Sequence, residues 1–344
     1  MFRLIAILTL TLAASAQQLT VGTATASPGQ RADGYLEVPT GVDAGTRIPV
    51  VVIRGAKPGP TLAIVSGLHG TEYASIIAVE KLIQKLDPAA ISGSVILVPL
   101  VNVGSFEEKV PHVNPVDKKS MNRYYPGNPT GTQTDRVSYM MTKEVVDKAD
   151  NLIDLHGGDL DESLRPYSYW APTGNASQDE TSKEMNLAFG LDTIIIWRER
   201  PSDPKDSRYL DNTAAVRGKP SLAAEAGYAG TVETDDVNRL VNGCLGVMRY
   251  LKMLAGEVHP ISNPVWIERI ETASSTADGI FYPLVKRGTY VQQGMKIGYV
   301  TDWFGKTVQE ATAPASGVVL YICAVPSMKK GGTIANIGVV GKAP

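Results

Sequence analysis

A histidine and a glutamate three residues apart, His69 and Glu72, form a pair whose types and spacing suit chemistry. They follow the apolar run 62–65 and precede a helix-like run at 73–86, so they lie where a strand ends and a helix begins. Open α/β sheets bind their ligands at such strand ends. Because both side chains can point at one common atom, we interpret them as two ligands of a zinc ion.

His156 is the candidate for the third ligand. Hydrolytic zinc sites have three protein ligands and one open position for water, and two histidines with one glutamate satisfy that number. His156 ends the apolar run 151–156 and is followed by two glycines that leave room. Asp154 lies on the same side of that strand, where a carboxylate can orient a ligand imidazole. A lone histidine of this kind is more often an ordinary core residue, but the joint arrangement at two strand ends favours a metal site.

The segments around these residues predict an α/β fold. An apolar strand at 61–65, a helical pattern up to residue 86 and a strand at 94–101 form a βαβ unit with parallel pairing. We therefore expect a mixed, largely parallel sheet flanked by helices. Further helices are predicted at 134–148, 181–189 and 235–254. Stretches that lack periodicity and are expected to be loops lie at 104–134, 159–180 and 198–213.

The composition changes near the end of the last predicted helix. Residues 256–264 are expected to be a linker, and beyond them short strands alternate with glycine-rich turns without any helical period. This pattern is typical of a small all-β domain. The predicted organisation is a catalytic domain at 17–258 and an all-β, barrel-like domain at 262–344.

The first sixteen residues have the features of a secretory signal peptide. A short basic start precedes an apolar run, and Ala14-Ser15-Ala16 is a small-residue cleavage site. A membrane anchor is the alternative, but the apolar run is too short to span a bilayer. We therefore assign residues 1–16 to a leader and expect a secreted or periplasmic protein without a membrane span.

The composition excludes some classes of partner. Lysine plus arginine number 33 and aspartate plus glutamate 35, and no basic run is interleaved with aromatic residues, so nucleic-acid binding has little support. Cys244 and Cys323, the only two cysteines, are expected to be buried free thiols rather than metal ligands. A homo-oligomer is compatible with the sequence, which does not fix the oligomeric state.

Four motifs give the sequence a specific resemblance. In this order they are similar to those of the succinylglutamate desuccinylase/aspartoacylase family, which has the zinc carboxypeptidase fold, and the resemblance covers roughly residues 45–255. The tail resembles the C-terminal domain of these deacylases and a biotinyl/lipoyl-type barrel, with Lys329 expected in a solvated turn. The motifs are Gly67-x-His69-Gly70-x-Glu72, Met121-Asn122-Arg123-x-Tyr125-Pro126-Gly127, Asp154-Leu155-His156 and Glu225-Ala226-Gly227.

The resemblance implies a zinc hydrolase, with one zinc ion per chain, and a role for each matched residue. Zinc polarises a carbonyl and lowers the pKa of bound water from about 15.7 towards about 7. Glu225 is then the general base and acid that moves the proton of that water to the leaving amine. Asn122 and Arg123 are the pair that binds a substrate carboxylate, because a guanidinium matches a carboxylate with two hydrogen bonds.

One departure from the family pattern concerns the carbonyl-polarising arginine upstream of Asn122. No arginine is present in the segment 109–115, and His112 or Lys109 is the candidate replacement. A single electrostatic donor to an oxyanion is worth roughly 3 kcal/mol, so the change affects transition-state stabilisation, substrate choice or both.

Three functions remain open from the sequence. The first is a secreted zinc amidohydrolase that removes the acyl group from an N-acyl amino acid or a related small amide. The second is a zinc carboxypeptidase or cell-wall peptide amidase, which would take short peptides. The third is a non-catalytic binding protein on the same fold, which only the missing arginine favours.

Overall fold

The computed structural model describes residues 18–344, so the predicted leader at 1–16 lies outside the described residues. The helices are α1 (Tyr73–Lys85), α2 (Val103–Glu108), α3 (Gln133–Met141), α4 (Ala176–Phe189), α5 (Leu210–Ala215) and α6 (Thr234–Tyr250). The strands up to the last helix are β1 (Leu19–Val21), β2 (Ala24–Ala26), β3 (Gln30–Val38), β4 (Thr46–Arg54), β5 (Lys57–Ser66), β6 (Ser92–Val98), β7 (Asn151–His156), β8 (Glu162–Trp170), β9 (Thr193–Ile196) and β10 (Ser221–Tyr228). The strands after it are β11 (Val265–Ser274), β12 (Gly279–Pro283), β13 (Tyr290–Val291), β14 (Lys296–Thr301), β15 (Thr307–Thr312), β16 (Gly317–Cys323), β17 (Ser327–Met328) and β18 (Thr333–Val340).

A twelve-stranded mixed sheet forms the centre of the molecule, in the order β13-β16-β18-β11-β9-β8-β10-β7-β5-β6-β4-β3. The middle strands β10, β7, β5 and β6 are parallel, and β4 and β3 continue the sheet in antiparallel pairing. The parallel strands are continuous apolar runs because both of their faces are covered. Ile64 packs into the core on one side of β5, and Ala63 and Val65 pack into the core on the other.

Helices cover both faces of these middle strands. One core contains side chains of α1, α4 and α6, including Leu82, Met185 and Leu240. The other contains side chains of α3 and α5, including Val137 and Leu210. The two cores fix the plane of the sheet and therefore the positions at which β5, β7 and β10 end.

Five strands close into a ring beside the middle of the sheet. Strand β16 pairs with β18 and also with β8, and the pairs β18–β11, β11–β9 and β9–β8 complete the circuit. The ring encloses a small core of Tyr167, Ile195, Ile267 and Leu320. Strands from the C-terminal region thus share a barrel-like core with β8 and β9, and a separate four-stranded sheet, β15-β14-β12-β17, packs beyond it.

The predicted fold class is confirmed, with a mixed sheet flanked by helices and a tail made of strands. The division into domains at 17–258 and 262–344 stays a prediction. The ring contains β8 and β9 from the first predicted domain and β11, β16 and β18 from the second. Cys244 and Cys323 are buried and free, as expected. Within residues 18–344 no helix is both long enough and apolar enough to cross a membrane.

Three of the segments expected to be loops contain regular structure. Strand β8 lies within 159–180, α2 overlaps the start of 104–134, and α5 overlaps the end of 198–213. Strand β8 was missed because it contains Pro166 and aromatic rather than aliphatic residues, and Tyr167 and Tyr169 face a cavity instead of a helix. Helices α2 and α5 have only six residues each, too few for a period to be recognised.

Candidate metal centre and active site

The ends of β5, β7 and β10 bring the predicted residues to one edge of the sheet. After β5 the chain turns at Gly67, whose φ of +69° and close approach to Leu100 exclude a side chain. His69 lies in this turn, and Glu72 immediately precedes α1. His156 is the last residue of β7. Because parallel strands run in one direction, these carboxyl ends meet at the same edge.

His69, Glu72 and His156 form a compact cluster in which one ligand atom from each residue lies within 4.8 Å of the others. The Nδ1 atom of His69 is 2.6 Å from Glu72 Oε1, and the Nδ1 atom of His156 is 2.9 Å from Glu72 Oε2. The three side chains are largely buried, with exposed fractions of 13%, 4% and 5%. Two imidazoles and a carboxylate are a donor set that suits a zinc ion.

The charges around the cluster favour a cation. Burial by itself would raise the pKa of Glu72, but His156 and His69 lower it below its ordinary value. Burial lowers the pKa of His156, and the carboxylates of Asp154 and Glu72 raise it well above its ordinary value. The site therefore attracts positive charge, either as a proton or as a metal ion that competes with it.

Asp154 lies behind His156, as its spacing predicted. Its Oδ2 atom is 3.3 Å from His156 Nε2, but the pair lacks hydrogen-bond geometry, and neither oxygen of this fully buried carboxylate has a hydrogen-bond partner in residues 18–344. A buried carboxylate without partners is costly. The imidazole of His156 lies between Asp154 and the cluster. A cation bound at Nδ1 of this imidazole would compensate the negative charge of Asp154, so the residues present fit a metal ion.

Glu225 lies beside the cluster. It is opposite His156 in the parallel pairing of β10 with β7, and opposite Tyr167 in the pairing with β8. Its side chain lines the cavity described below. Burial raises the pKa of Glu225 well above its ordinary value, and the charge of His156 only partly opposes this effect. A carboxyl group with a raised pKa beside a metal cluster is suited to accept and return a proton.

A cavity of about 450 Å³ extends from the cluster. Asn122 and Arg123 both line it, in a single helical turn at residues 121–123. The amide of Asn122 is already engaged, since Nδ2 lies 3.0 Å from His156 Nε2 and Oδ1 accepts a hydrogen bond from the Leu210 backbone. Arg123 lies over the ring of Tyr209 at 4.9 Å, and its Nη1 atom donates to the Asn122 backbone carbonyl at 2.7 Å, which leaves the other guanidinium donors for a substrate.

Arg200 brings a second guanidinium into the cavity, and no sequence pattern predicted it. Its Nη1 atom donates to Asp211 at 2.5 Å, its side chain is only 8% exposed, and its Nε atom is buried without a hydrogen-bond partner in the described chain. The rings of Trp197 and Tyr209 lie 4.5 and 4.8 Å from its Cζ. The only signal in the sequence is its place shortly after β9, in a charged segment that was expected to be a loop.

His112 and Lys109, the two candidates for the missing arginine, have different positions. His112 lines the cavity, but its ring nitrogens face Asp161 at 2.9 Å and Asp159 at 3.1 Å. Lys109 immediately follows α2 and does not line the cavity. Contact of His112 with a substrate stays a prediction, and Arg200 is the additional arginine that the fold brings into the cavity.

Comparison with known proteins supports the resemblance found in the sequence. The model of the succinylglutamate desuccinylase/aspartoacylase catalytic domain matches residues 58–251, more than half of the chain. The N-alpha-acetyl-L-2,4-diaminobutyric acid deacetylase of Halomonas elongata is 28% identical over 318 residues, which cover 89% of this chain and 91% of that protein.

Solved structures share the fold over most of the chain. A succinylglutamate desuccinylase from Silicibacter has a TM-score of 0.81 at 24% identity, with 90% of this chain and 95% of that chain covered. The product-bound ectoine utilization protein EutE (DoeB) of Ruegeria pomeroyi has a TM-score of 0.80 at 23% identity, with the same coverage of 90% and 95%. The chain belongs to the succinylglutamate desuccinylase/aspartoacylase family.

Proposed function

We propose that this protein is a zinc-dependent deacylase that hydrolyses the amide of an N-acyl amino acid or a related small amide. The observation that carries the proposal is the convergence of His69, Glu72 and His156 within 4.8 Å, with Glu225 opposite His156 on the neighbouring strand. Family membership and the named activity of the Halomonas elongata relative, a deacetylase of an N-acetyl amino acid, support it.

The metal would be held by His69, Glu72 and His156. Zinc bound there would supply Lewis acidity to the scissile carbonyl and lower the pKa of a water molecule. Behind the imidazole ring of His156, Asn122 Nδ2 lies 3.0 Å from His156 Nε2, and the Asp154 carboxylate lies 3.3 Å from the same atom without hydrogen-bond geometry. The contact with Asn122 fixes the orientation of that ring before a substrate enters, which is how partners behind a ligand contribute to metal sites.

Glu225 performs the proton transfer. It accepts a proton from the water whose oxygen forms a bond to the amide carbon, and it returns that proton to the nitrogen as the carbon–nitrogen bond breaks. The proton left on the new carboxyl group then passes to the amine, so the products are a carboxylate and an ammonium group, and the atoms and charges balance. The pKa of Glu225 is raised chiefly by burial, and the raised pKa favours the step in which Glu225 carries the proton and donates it to the leaving nitrogen.

Arg123 and Arg200 are the groups that would bind the carboxylate of the amino acid. Both lie against the ring of Tyr209, at 4.9 and 4.8 Å, so the two guanidiniums flank one aromatic wall of the cavity. Asp211 holds Arg200 in place by its contact with Nη1. Planar guanidiniums bind carboxylates with two parallel hydrogen bonds, and this anchor would place the amide at the metal.

A screen of the purified protein tests the proposal. Zinc-loaded protein is assayed for release of free amine from a panel of N-acyl amino acids, with short peptides alongside. We expect hydrolysis of N-acyl amino acids, loss of activity after chelation, and recovery when zinc is added. Cleavage of peptides alone would instead favour a carboxypeptidase or peptide amidase, and no metal-dependent hydrolysis of any amide would favour a binding protein.

We also propose that the protein is exported, because residues 1–16 have the sequence features of a signal peptide. Expression with its native N-terminus, followed by mass determination of the protein outside the cytoplasm, tests this. A mature chain that begins at Gln17 is the expected result. A chain that keeps its leader and stays in the cytoplasm would contradict it.

A further inference from the structure

A second cavity, of about 500 Å³, adjoins the active-site cavity on the side of the C-terminal strands. The two cavities share the lining residues His112, Glu162, Tyr321 and Asn336. Tyr321 and Asn336 belong to β16 and β18 of the closed ring. The site therefore continues past the metal cluster and has room for a substrate group on that side.

Glu162 carries a carboxyl group at the junction of the two cavities. Its Oε2 atom accepts one hydrogen bond, from the Asp159 backbone at 3.0 Å, and no lysine or arginine in residues 18–344 forms an ion pair with it. The neighbouring carboxylates differ, because His112 lies 3.1 Å from Asp159 and 2.9 Å from Asp161. Lys329, which also lines the second cavity, is exposed and pairs with neither Asp161 nor Glu162 within the same residues.

His112 is the cation near Glu162, but it is paired with Asp159 and Asp161 and lowers the pKa of Glu162 less than burial raises it. Burial, and then the negative charge of Glu72, raise the pKa of the Glu162 carboxyl to about 8. A positively charged group placed beside it would lower that pKa and keep the carboxylate ionised. The junction thus has the chemistry to recognise an ammonium group.

The order of residues along β8 places this junction on the far side of the reaction centre from the arginines. Tyr169, near the end of β8, lies 5.7 Å from the Cζ of Arg200. Tyr167 pairs with Glu225, and Glu162 begins the strand. A substrate anchored by its carboxylate at Arg200 and hydrolysed beside Glu225 would therefore extend its remaining groups towards Glu162.

We infer that Glu162 determines specificity by binding a side-chain ammonium, so that the preferred substrates are N-acyl diamino acids rather than neutral or acidic ones. This rests on the proposed deacylase function and adds the class of amino acid and the residue that selects it. The Halomonas elongata relative is named for a substrate of this class. Recognition of a charged group by a partly buried carboxylate distinguishes it from an apolar isostere by about 10- to 100-fold.

The test compares two substrates that differ in one group. Nα-acetyl-2,4-diaminobutyrate and Nα-acetylnorvaline have side chains of the same length, with an ammonium in the first and a methyl in the second. We expect kcat/KM of the wild-type protein to favour the first substrate by about 10- to 100-fold. Glu162→Gln, which retains an acceptor for the Asp159 backbone, should lower that ratio towards one through a higher KM for the diamino substrate.

Two further variants keep the comparison decisive. Glu310→Gln removes an exposed carboxylate that pairs with Lys296 and lines neither cavity, so the substrate ratio should stay at the wild-type value. Glu162→Asp retains the negative charge, so its ratio of kcat/KM between the two substrates should lie between the ratios of the wild type and Glu162→Gln. This variant provides the test if Glu162→Gln does not fold.

Several outcomes would overturn the inference. Equal kcat/KM for the two substrates in the wild-type protein would do so, and so would a ratio that Glu162→Gln leaves unchanged. Cleavage of other N-acyl amino acids without cleavage of the diamino substrate would overturn it and leave the deacylase function intact. Failure to hydrolyse any N-acyl amino acid would overturn the proposed function itself.

Discussion

Glu225 and His156 face each other on the adjacent parallel strands β10 and β7. The strand pairing therefore fixes the distance between the proposed proton-transfer group and the metal cluster, without help from a mobile loop. A shift of one residue between the strands would turn Glu225 to the opposite face of the sheet. Side chains held by a sheet in this way are positioned more accurately than those on loops.

Replacement of Glu225 by glutamine should abolish most turnover while the metal stays bound. Glutamine has nearly the same shape but cannot accept and return a proton, and a positioned general base contributes about 10²- to 10⁴-fold to the rate. The measurement is kcat on the best substrate of the screen, together with metal content. A variant with nearly wild-type kcat would show that another group moves the proton.

Loss of either histidine ligand should remove the metal. His69→Ala and His156→Ala each leave two protein ligands, which is fewer than a hydrolytic zinc site requires. His259→Ala is the matched control, because His259 is exposed and lies outside the cluster. Metal content after dialysis is measured for all three variants. Full zinc content in both cluster variants would refute the ligand assignment.

Asp154→Asn should weaken metal binding without removing a ligand. Asp154 is fully buried, and His156 Nε2 lies 3.3 Å from its Oδ2, so the negative charge of the carboxylate polarises the imidazole. Partners behind a ligand typically account for about 10- to 100-fold in metal affinity. Competition with a zinc chelator measures the affinity. An unchanged affinity would mean that Asp154 has only a structural role.

Arg200→Lys should raise KM more than it lowers kcat. Lysine keeps the positive charge near Asp211 but loses the planar fork that binds a carboxylate, and the expected rise in KM is about 10- to 100-fold. Arg208→Lys serves as the control, because Arg208 is exposed and pairs with Asp206 at 3.3 Å. If both variants show the same KM, Arg200 does not contact the substrate.

The residues of the site that the sequence predicted are those that apolar strands position. His69, Glu72, His156 and Glu225 end or follow apolar strands, and the ends of parallel strands meet at one edge of a sheet. Their convergence was therefore predictable from local patterns and their order in the chain.

Arg200 and Glu162 were missed for the opposite reason. Arg200 lies in an irregular segment, and its place in the cavity depends on Asp211 and on three surrounding aromatic rings. Glu162 begins a strand and is opposite Cys323 of β16, which lies far away in the sequence. Contacts of that kind leave no local periodicity, so only the folded chain reveals them.

The pairing of His112 with two carboxylates has a consequence for stability against pH. The hydrogen bond to Asp161 is the largest cause that raises the pKa of His112, and despite burial, which lowers it, the pKa rises from 6.5 to about 9. The folded protein thus holds this proton more tightly than the unfolded chain. The stabilisation is complete below the unfolded pKa and is lost as pH rises through about 9.

Replacement of His112 by glutamine should therefore matter most near neutral and acidic pH. The difference in free energy of unfolding between wild type and His112→Gln should be largest at about pH 6 and should shrink by about pH 10. Urea unfolding of both proteins at each pH measures it, and the pH dependence of metal binding largely cancels because each difference is taken at one pH. His259→Gln, which changes an exposed histidine outside the ion pairs of residues 18–344, is measured in parallel as the control. A His112→Gln difference that is equally large at both pH values would mean that the ion pairs with Asp159 and Asp161 do not stabilise the fold.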